Sequence, residues 1–379
     1  MQPHSWKRPH EDTGSIPAEG REARRPQWVD DDDDDDITAD LSSMSFEVGL
    51  TGDEKKLLYL RARAAGMTFC GCAHAAFTVE LAHLMRCAIK SHTVASGADG
   101  DLRVGILGMG NLGRQLLLTL LEKTSIKPSQ TKISTRRPES AGEFTQKGVE
   151  CFFDNRRLGE QADLLFLCCL PSQLPKVCAD LHAHLSERCL VYSFITGVPV
   201  ARLARLLGHD YIIKPQYDFV DCDDPDVWLS CSSHPAAART DPLLIEASRP
   251  LTMKGGISLG LNWTCALLYS LLNTCTSASL ASSEALALMN SIFKEQSANT
   301  SRFNSQSFIS SSCAFALRSD EPFPWISLRD AQTRTTPLQR FLSSSKSLQQ
   351  FISAAYKSQL ETQKEELLPN TELTQHCEK

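Results

Sequence analysis

The chain has 379 residues, 42 % hydrophobic and 22 % charged, enough to bury a sizeable core in one large or two moderate domains. Its formal charge of −6 is carried by the aspartate run at residues 30–36, so the remainder is close to neutral and offers no basic footprint for nucleic acid. The 14 cysteines include Cys70-Gly71-Cys72 and Cys168-Cys169 but no Cys-x-x-Cys pair of a zinc or redox site, and most sit among apolar residues. They read as small buried hydrophobes in a reducing compartment, which excludes a disulfide scaffold and leaves no metal site expected.

Residues 1–45 are polar, basic and then strongly acidic, with little apolar content to fold around, and are expected to form a disordered acidic tail. The aspartate run could alternatively dock a basic partner. The opening Met1-Gln2-Pro3-His4-Ser5 has no apolar signal core, so the cytoplasm is the expected compartment. Residues 46–98 read as a helical extension of two helices: one capped by Thr51 or Asp53 and running to Leu60, the second over residues 76–89. A Gly- and Asp-containing loop at 96–101 separates them from the next segment.

Residues 101–236 have the pattern of a dinucleotide-binding domain. Val104-Gly105-Ile106-Leu107 feeds directly into Gly108-Met109-Gly110-Asn111-Leu112-Gly113, and an apolar helical pattern follows through Leu121. In such a strand-turn-helix the first glycine permits the turn, the second lets a pyrophosphate approach the backbone, and the third lets the helix pack on the strand. The helix N-terminus then supplies unpaired N–H groups and the positive end of its dipole to the phosphates.

A second strand is expected near residues 132–135. A ribose with a free 2′-hydroxyl usually meets a carboxylate at that strand end, but here stand Ser134, Thr135, Arg136 and Arg137. Guanidinium groups match phosphate geometry with paired charge-assisted hydrogen bonds, and this favours NADP(H) over NAD(H). The competing reading is two solvated surface arginines.

Further strands are expected in the continuous apolar runs at residues 162–170, 189–195 and 211–213. Strands alternating with helices imply right-handed crossovers and a mainly parallel, Rossmann-type α/β sheet. Ligands bind beyond the carboxyl ends of such strands, which places Cys169, Pro171, Ser193, Thr196, Gly197 and residues 214–218 along the crevice. His182 and His184 would share one side of a strand, but without further ligands nearby they read as solvated histidines.

Residues 240–295 read as an α-helical domain. Residues 255–283 carry no charge, yet their Asn, Ser and Thr content suits a helix buried in protein better than a membrane span. Within 296–379, residues 296–312 look like a Ser-rich linker, and Leu338, Phe341, Leu342, Leu348, Phe351, Ile352, Tyr356 and Leu360 recur at the spacing of an amphipathic helix. Packing on the body is the plain reading of that helix, and an oligomer contact the sharper one.

The glycine motif, Ala162-Asp163-Leu164-Leu165-Phe166-Leu167 and Ser193-Phe194-Ile195-Thr196-Gly197-Val198 together resemble the pyrroline-5-carboxylate reductase family, clearly over residues 102–215 and faintly to about 295. The resemblance implies that Arg136 and Arg137 face the adenosine phosphate, that Cys168, Cys169 and Pro171 line the cofactor, and that the later helices form a homodimer. Leu170 stands where the family has a loop lysine, and Gln216-Tyr217-Asp218-Phe219-Val220 replaces its Met-Thr-Asn-Thr-Pro loop. Only fragments of its carboxylate-cradling helix start remain near Ser258 to Trp263, and no Ser-Pro-Gly-Gly-Thr-Thr occurs. The resemblance therefore carries over cofactor binding and not pyrroline carboxylate reduction.

The leading expectation is an NADP(H)-dependent oxidoreductase acting on a C=N or C=O group of another, unidentified small molecule. The alternative is a catalytically inactive NADP(H)-binding regulatory or scaffold protein. Lys214, Tyr217, Asp218 and Asn262 are the candidates for protonating or orienting a substrate, each against a structural role.

Overall fold

The computed structural model describes residues 49–92, 101–220, 225–233, 235–251, 255–293 and 302–362. The expected acidic tail, the 96–100 loop and the first part of the expected linker lie outside them. Thirteen of its elements run from α1 (Gly52–His92) through β1 (Val104–Leu107), α2 (Asn111–Lys123), β2 (Thr131–Ser134), α3 (Gly142–Gln146), β3 (Glu150–Phe152), α4 (Asn155–Gln161), β4 (Leu164–Leu167), α5 (Leu174–Leu181), β5 (Leu190–Ser193), α6 (Val200–Leu207) and β6 (Ile212–Ile213) to β7 (Tyr217–Phe219). After them come α7 (Ser230–Ser233), α8 (Pro235–Ala238), α9 (Pro242–Ala247), β8 (Ile257–Leu259), α10 (Leu261–Ser277), α11 (Ser282–Ile292), α12 (Ser305–Phe308), α13 (Ser311–Ala316), α14 (Leu328–Thr333), α15 (Pro337–Ser344) and α16 (Lys346–Glu361).

Six strands form one parallel sheet in the order β3-β2-β1-β4-β5-β6, the doubly wound arrangement in which the chain reverses direction between β1 and β4. Val104 stands beside Leu164 and Leu107 beside Leu167 in that central pair. Alternate residues of each strand feed opposite cores. Leu107, Leu165, Leu167, Val191 and Ile212 pack with Leu158 of α4, Leu181 of α5 and Leu203 of α6. Ile106, Ile133, Phe166, Tyr192 and Ile213 pack on the other face with Leu116 and Leu120 of α2 and with α1 and α10. Burial on both faces explains why these strands read as continuous apolar runs. The free edge of the two-residue β6 is closed by Gln332 of α14, whose amide donates to Ile212 O at 2.7 Å and accepts from Lys214 N at 2.9 Å.

The described residues from Gly52 to Thr362 form one compact unit. The two helices expected before the first strand are one helix of 41 residues, α1. Its internal glycines are sites of close approach rather than breaks: a Cβ at Gly66 would lie 2.5 Å from the Trp228 ring, and one at Gly71 2.9 Å from Phe194. Burial of Cys70 to Val79 supplies what the glycines cost in helix propensity.

β8 pairs antiparallel with β7, Tyr217 opposite Leu259, so the segment before α10 returns to the sheet domain. The uncharged α10 is buried by its own chain, between α1, α11, α14 and α15, and does not itself require a second copy. No helix of the described residues is long and apolar enough to cross a membrane.

The expected linker is structured where it is described. Asn304 and Ser307 bond reciprocally around the start of α12, and Ser310 caps α13 through Cys313 N, so the polar residues serve as helix caps. Phe303 and Phe308 are buried, and Tyr269 donates to Phe308 O at 2.9 Å. The single amphipathic helix expected near the end is divided at Ser345, which closes α15 and caps α16 through Leu348 N. Its apolar stripe packs on the body, with Leu338, Leu342, Leu348, Ile352, Tyr356 and Leu360 buried.

Candidate functional site

The loop between β1 and α2 lies at the reversal point of the sheet. Gly108 has φ +101°, and its N–H donates to Ser134 O at 2.9 Å, tying the turn to the neighbouring strand. A Cβ there would sit 3.0 Å from Cys168 O, and one at Gly113 only 2.0 Å from Gly108 O. Around Gly110, by contrast, nothing lies within 4 Å of a Cβ position. Gly110 is also the N-cap of α2 and gives its first turn no side-chain hydrogen bond. A turn that is closed behind and open in front, at an uncapped helix start, is shaped for an anionic group against the backbone. Met109 packs on the core, while Asn111 is exposed and its Oδ1 accepts from Gln115 Nε2 at 3.1 Å.

Beyond β2, the exposed Arg136 and Arg137 make no ion pair among the described residues. Among the described residues, positions 134–138 at the strand end hold no carboxylate. Of the two hydroxyl residues at this strand end, Ser134 is buried and donates to Asn155 Oδ1 at 2.8 Å, and the Asn155 amide in turn donates to Asp180. Only Thr135 stays near the arginines, accepting from Arg137 N at 3.5 Å.

At the end of β4, Cys168 and Cys169 are half-buried, and burial raises both thiols above their usual range, Cys168 strongly. Both side chains are therefore neutral thiols rather than thiolates. Leu170 is 64 % exposed, and Pro171 opens a single turn of 3₁₀ helix that leads into α5. Ser193 is buried, and its Oγ accepts from Ile195 N at 3.2 Å. Gly197 turns the chain with φ +75°.

The four residues expected to protonate or orient a substrate have different fates. Tyr217 places its hydroxyl 2.7 Å from His74 Nδ1, and His74 Nε2 lies 2.9 Å from Ser248 O. The Ser248 carbonyl can only accept, so Nε2 carries the ring proton and Nδ1 accepts a hydrogen bond from the Tyr217 hydroxyl. Burial holds His74 neutral, its pKa lowered to about 3, and pushes Tyr217 well above its ordinary value. Tyr356 completes the network through Ser248 Oγ at 2.8 Å. Asn262 is occupied at both ends of its amide, donating to Gln332 O at 3.2 Å and accepting from Gln339 Nε2 at 2.9 Å. Asp218 is exposed on β7 opposite Ser258. Lys214 is half-buried just past β6; burial lowers its pKa, and its ammonium has no ion pair among the described residues.

His74 escaped the sequence reading. Its partners are 143 and 174 residues away, and the only signal was a lone histidine in the otherwise apolar Cys70 to Val79 stretch.

The profile of the family described as "NADP oxidoreductase coenzyme F420-dependent" matches residues 103–196. A curated relative, NADP-dependent oxidoreductase domain-containing protein 1 of Mus musculus, is 38 % identical over 341 residues, covering 85 % of this chain and 92 % of its own. Pyrroline-5-carboxylate reductase of Escherichia coli (strain K12) is 30 % identical over 111 residues, 29 % of this chain and 41 % of that protein. A solved pyrroline-5-carboxylate reductase from Coxiella burnetii aligns at 18 % identity and TM-score 0.29, over 68 % of this chain and 96 % of its own. With the six-stranded parallel sheet and its glycine turn in place, the long match to the mouse protein assigns this chain to the family of NADP-dependent oxidoreductase domain-containing protein 1, within the NAD(P)-dependent oxidoreductases.

Proposed function

We propose that the protein is an NADP(H)-dependent oxidoreductase that transfers hydride to or from a C=N or C=O carbon of a small molecule other than pyrroline carboxylate. The observation that carries this reading is the open face of Gly110 at an uncapped helix start, combined with two arginines that have no ion pair among the described residues, where a 2′-hydroxyl reader would need a carboxylate. Gly108 to Gly113 hold the pyrophosphate, Arg136 and Arg137 with Thr135 take the 2′-phosphate, and Cys168, Cys169 and Pro171 form the wall beside the ring. The nicotinamide, when bound, supplies the hydride. Lys214 is the remaining proton donor: its ammonium meets the nitrogen or oxygen that gains the electron pair, and its lowered pKa brings proton release closer to neutral pH.

One observation favours the inactive-binder alternative. Tyr217 and Asn262 are committed to structural hydrogen bonds, which leaves the crevice with few polar groups to serve a substrate. Nicotinamide fluorescence titration with NADPH and NADH tests the shared part of both readings. Preference for NADPH that is lost in Arg136→Ala/Arg137→Ala supports it, and failure to bind either cofactor refutes it. Turnover in a screen of imines, ketones and aldehydes at saturating NADPH then supports the enzyme, whereas binding without turnover supports the scaffold.

A further inference from the structure

Between α1, α2 and α16 lies a pocket that the glycine turn does not use. Ala65, Phe69, Cys72 and Ala73 of α1 line one side, Gln115, Thr119 and Lys123 of α2 the other, and Cys231, Ala238, Arg239 and Leu360 close it. The Lys123 side chain is only 2 % exposed, yet its Nζ has one partner among the described residues, Glu122 Oε1 at 3.6 Å. That carboxylate is held more closely by Arg239, whose Nε lies 2.7 Å from Oε2. One carboxylate thus serves two cations, and Lys123 is among the residues that line the pocket. A buried charge with so little compensation is costly unless another anion or water completes its shell.

We infer that this pocket is a binding site for a small monocarboxylate, with its head on Lys123 and its apolar end against Phe69, Ala73 and Leu360. The size limits the ligand. The space measured out to the mouth is about 470 Å³, but the centre of a water-sized sphere has only about 30 Å³ in which to move, room for a carboxylate of one or two carbons. The walls explain the choice of class: Lys123, Arg239 and Glu122 leave one net positive charge, which a monocarboxylate matches and a phosphate dianion exceeds, while Phe69, Ala73 and Leu360 meet the apolar end. The pocket shares no lining residue with the proposed cofactor cradle, touching it through the hydrogen bond between Gln115 and Asn111, and acetate binding can be read without cofactor or turnover.

The test is binding of acetate to the full-length protein, followed by relaxation of the acetate methyl protons at low chloride, with acetamide as the neutral isostere. The expected result is saturable binding of acetate, none of acetamide, and at least tenfold weaker acetate binding by Lys123→Met. Because methionine fits the apolar wall and removes an undercompensated charge, the variant should melt no lower than the parent protein, which separates lost binding from lost folding. Absence of saturable acetate binding, equal binding of acetamide, or unchanged binding in a folded Lys123→Met variant overturns the inference and leaves the pocket to water.

Discussion

Gly110 and Gly113 look alike in the sequence, but the structure predicts opposite consequences for replacing them with alanine. At Gly113 the new methyl would begin 2.0 Å from Gly108 O, a backbone atom that cannot rotate aside. Reaching ordinary contact requires the turn and the helix to part by about 1.4 Å, an overpacking that costs about 3 kcal/mol at the upper end of the usual range. Alanine returns about 1 kcal/mol of helix propensity, so the net loss is about 2 kcal/mol. At Gly110 the methyl meets nothing, and the backbone, with φ −79°, is open to any residue. The folding cost there is only the poorer N-cap, about 0.5 kcal/mol. That same methyl occupies the surface where a pyrophosphate would rest, so NADPH and NADH affinities should both fall at least tenfold. Urea denaturation and nicotinamide fluorescence on the two variants measure both quantities. Gly110→Ala with parental cofactor affinity, or Gly113→Ala with parental stability, refutes the reasoning.

Replacing both Arg136 and Arg137 with alanine should weaken NADPH at least tenfold and leave NADH within twofold, because only NADPH carries the 2′-phosphate; parallel titrations check this. Asp163 is drawn upward by burial, but hydrogen bonds and charge from Arg103 and Arg86 outweigh that and hold it below its ordinary value. Its contribution to stability is therefore complete above the usual carboxylate range and is lost as pH falls through the lowered pKa. Asp163→Asn should cost about 1–2 kcal/mol at pH 7, less than a fully buried pair because both arginines are partly exposed, and should flatten urea stability below pH 4. His74 is held neutral in the fold, so the unfolded chain takes up its proton first as pH falls below 6.5. Stability should then decline towards pH 3 by up to about 1.4 kcal/mol per pH unit from this residue, and His74→Gln, able to donate to Ser248 and accept from Tyr217, should remove that slope. A His74→Gln profile parallel to that of the parent protein would show that another group governs acid unfolding.

The sequence by itself determined the parallel sheet and its glycine turn. A run such as Val104 to Leu107 entering Gly108-x-Gly110-x-x-Gly113 is local information, since strand, turn and helix start are set by residues a few positions apart. The arginines at the end of β2 are legible for the same reason. The joining of α1 into one helix was not legible, because Gly66 and Gly71 are justified only by Trp228 and Phe194, which arrive from far along the chain. The polar residues at 302–312 likewise looked like a linker until Phe303 and Phe308 were buried and Asn304 and Ser310 could act as caps. Only the tertiary structure decided which polar groups are free. It turned Ser134 towards Asn155, Tyr217 towards His74 and Asn262 towards Gln332 and Gln339, while leaving Lys214 and Lys123 without full compensation. Hydrogen-bond partners tens to hundreds of residues apart leave no periodic trace in a sequence, so the wall that carries the fold can be read from it, and the chemistry facing the crevice cannot.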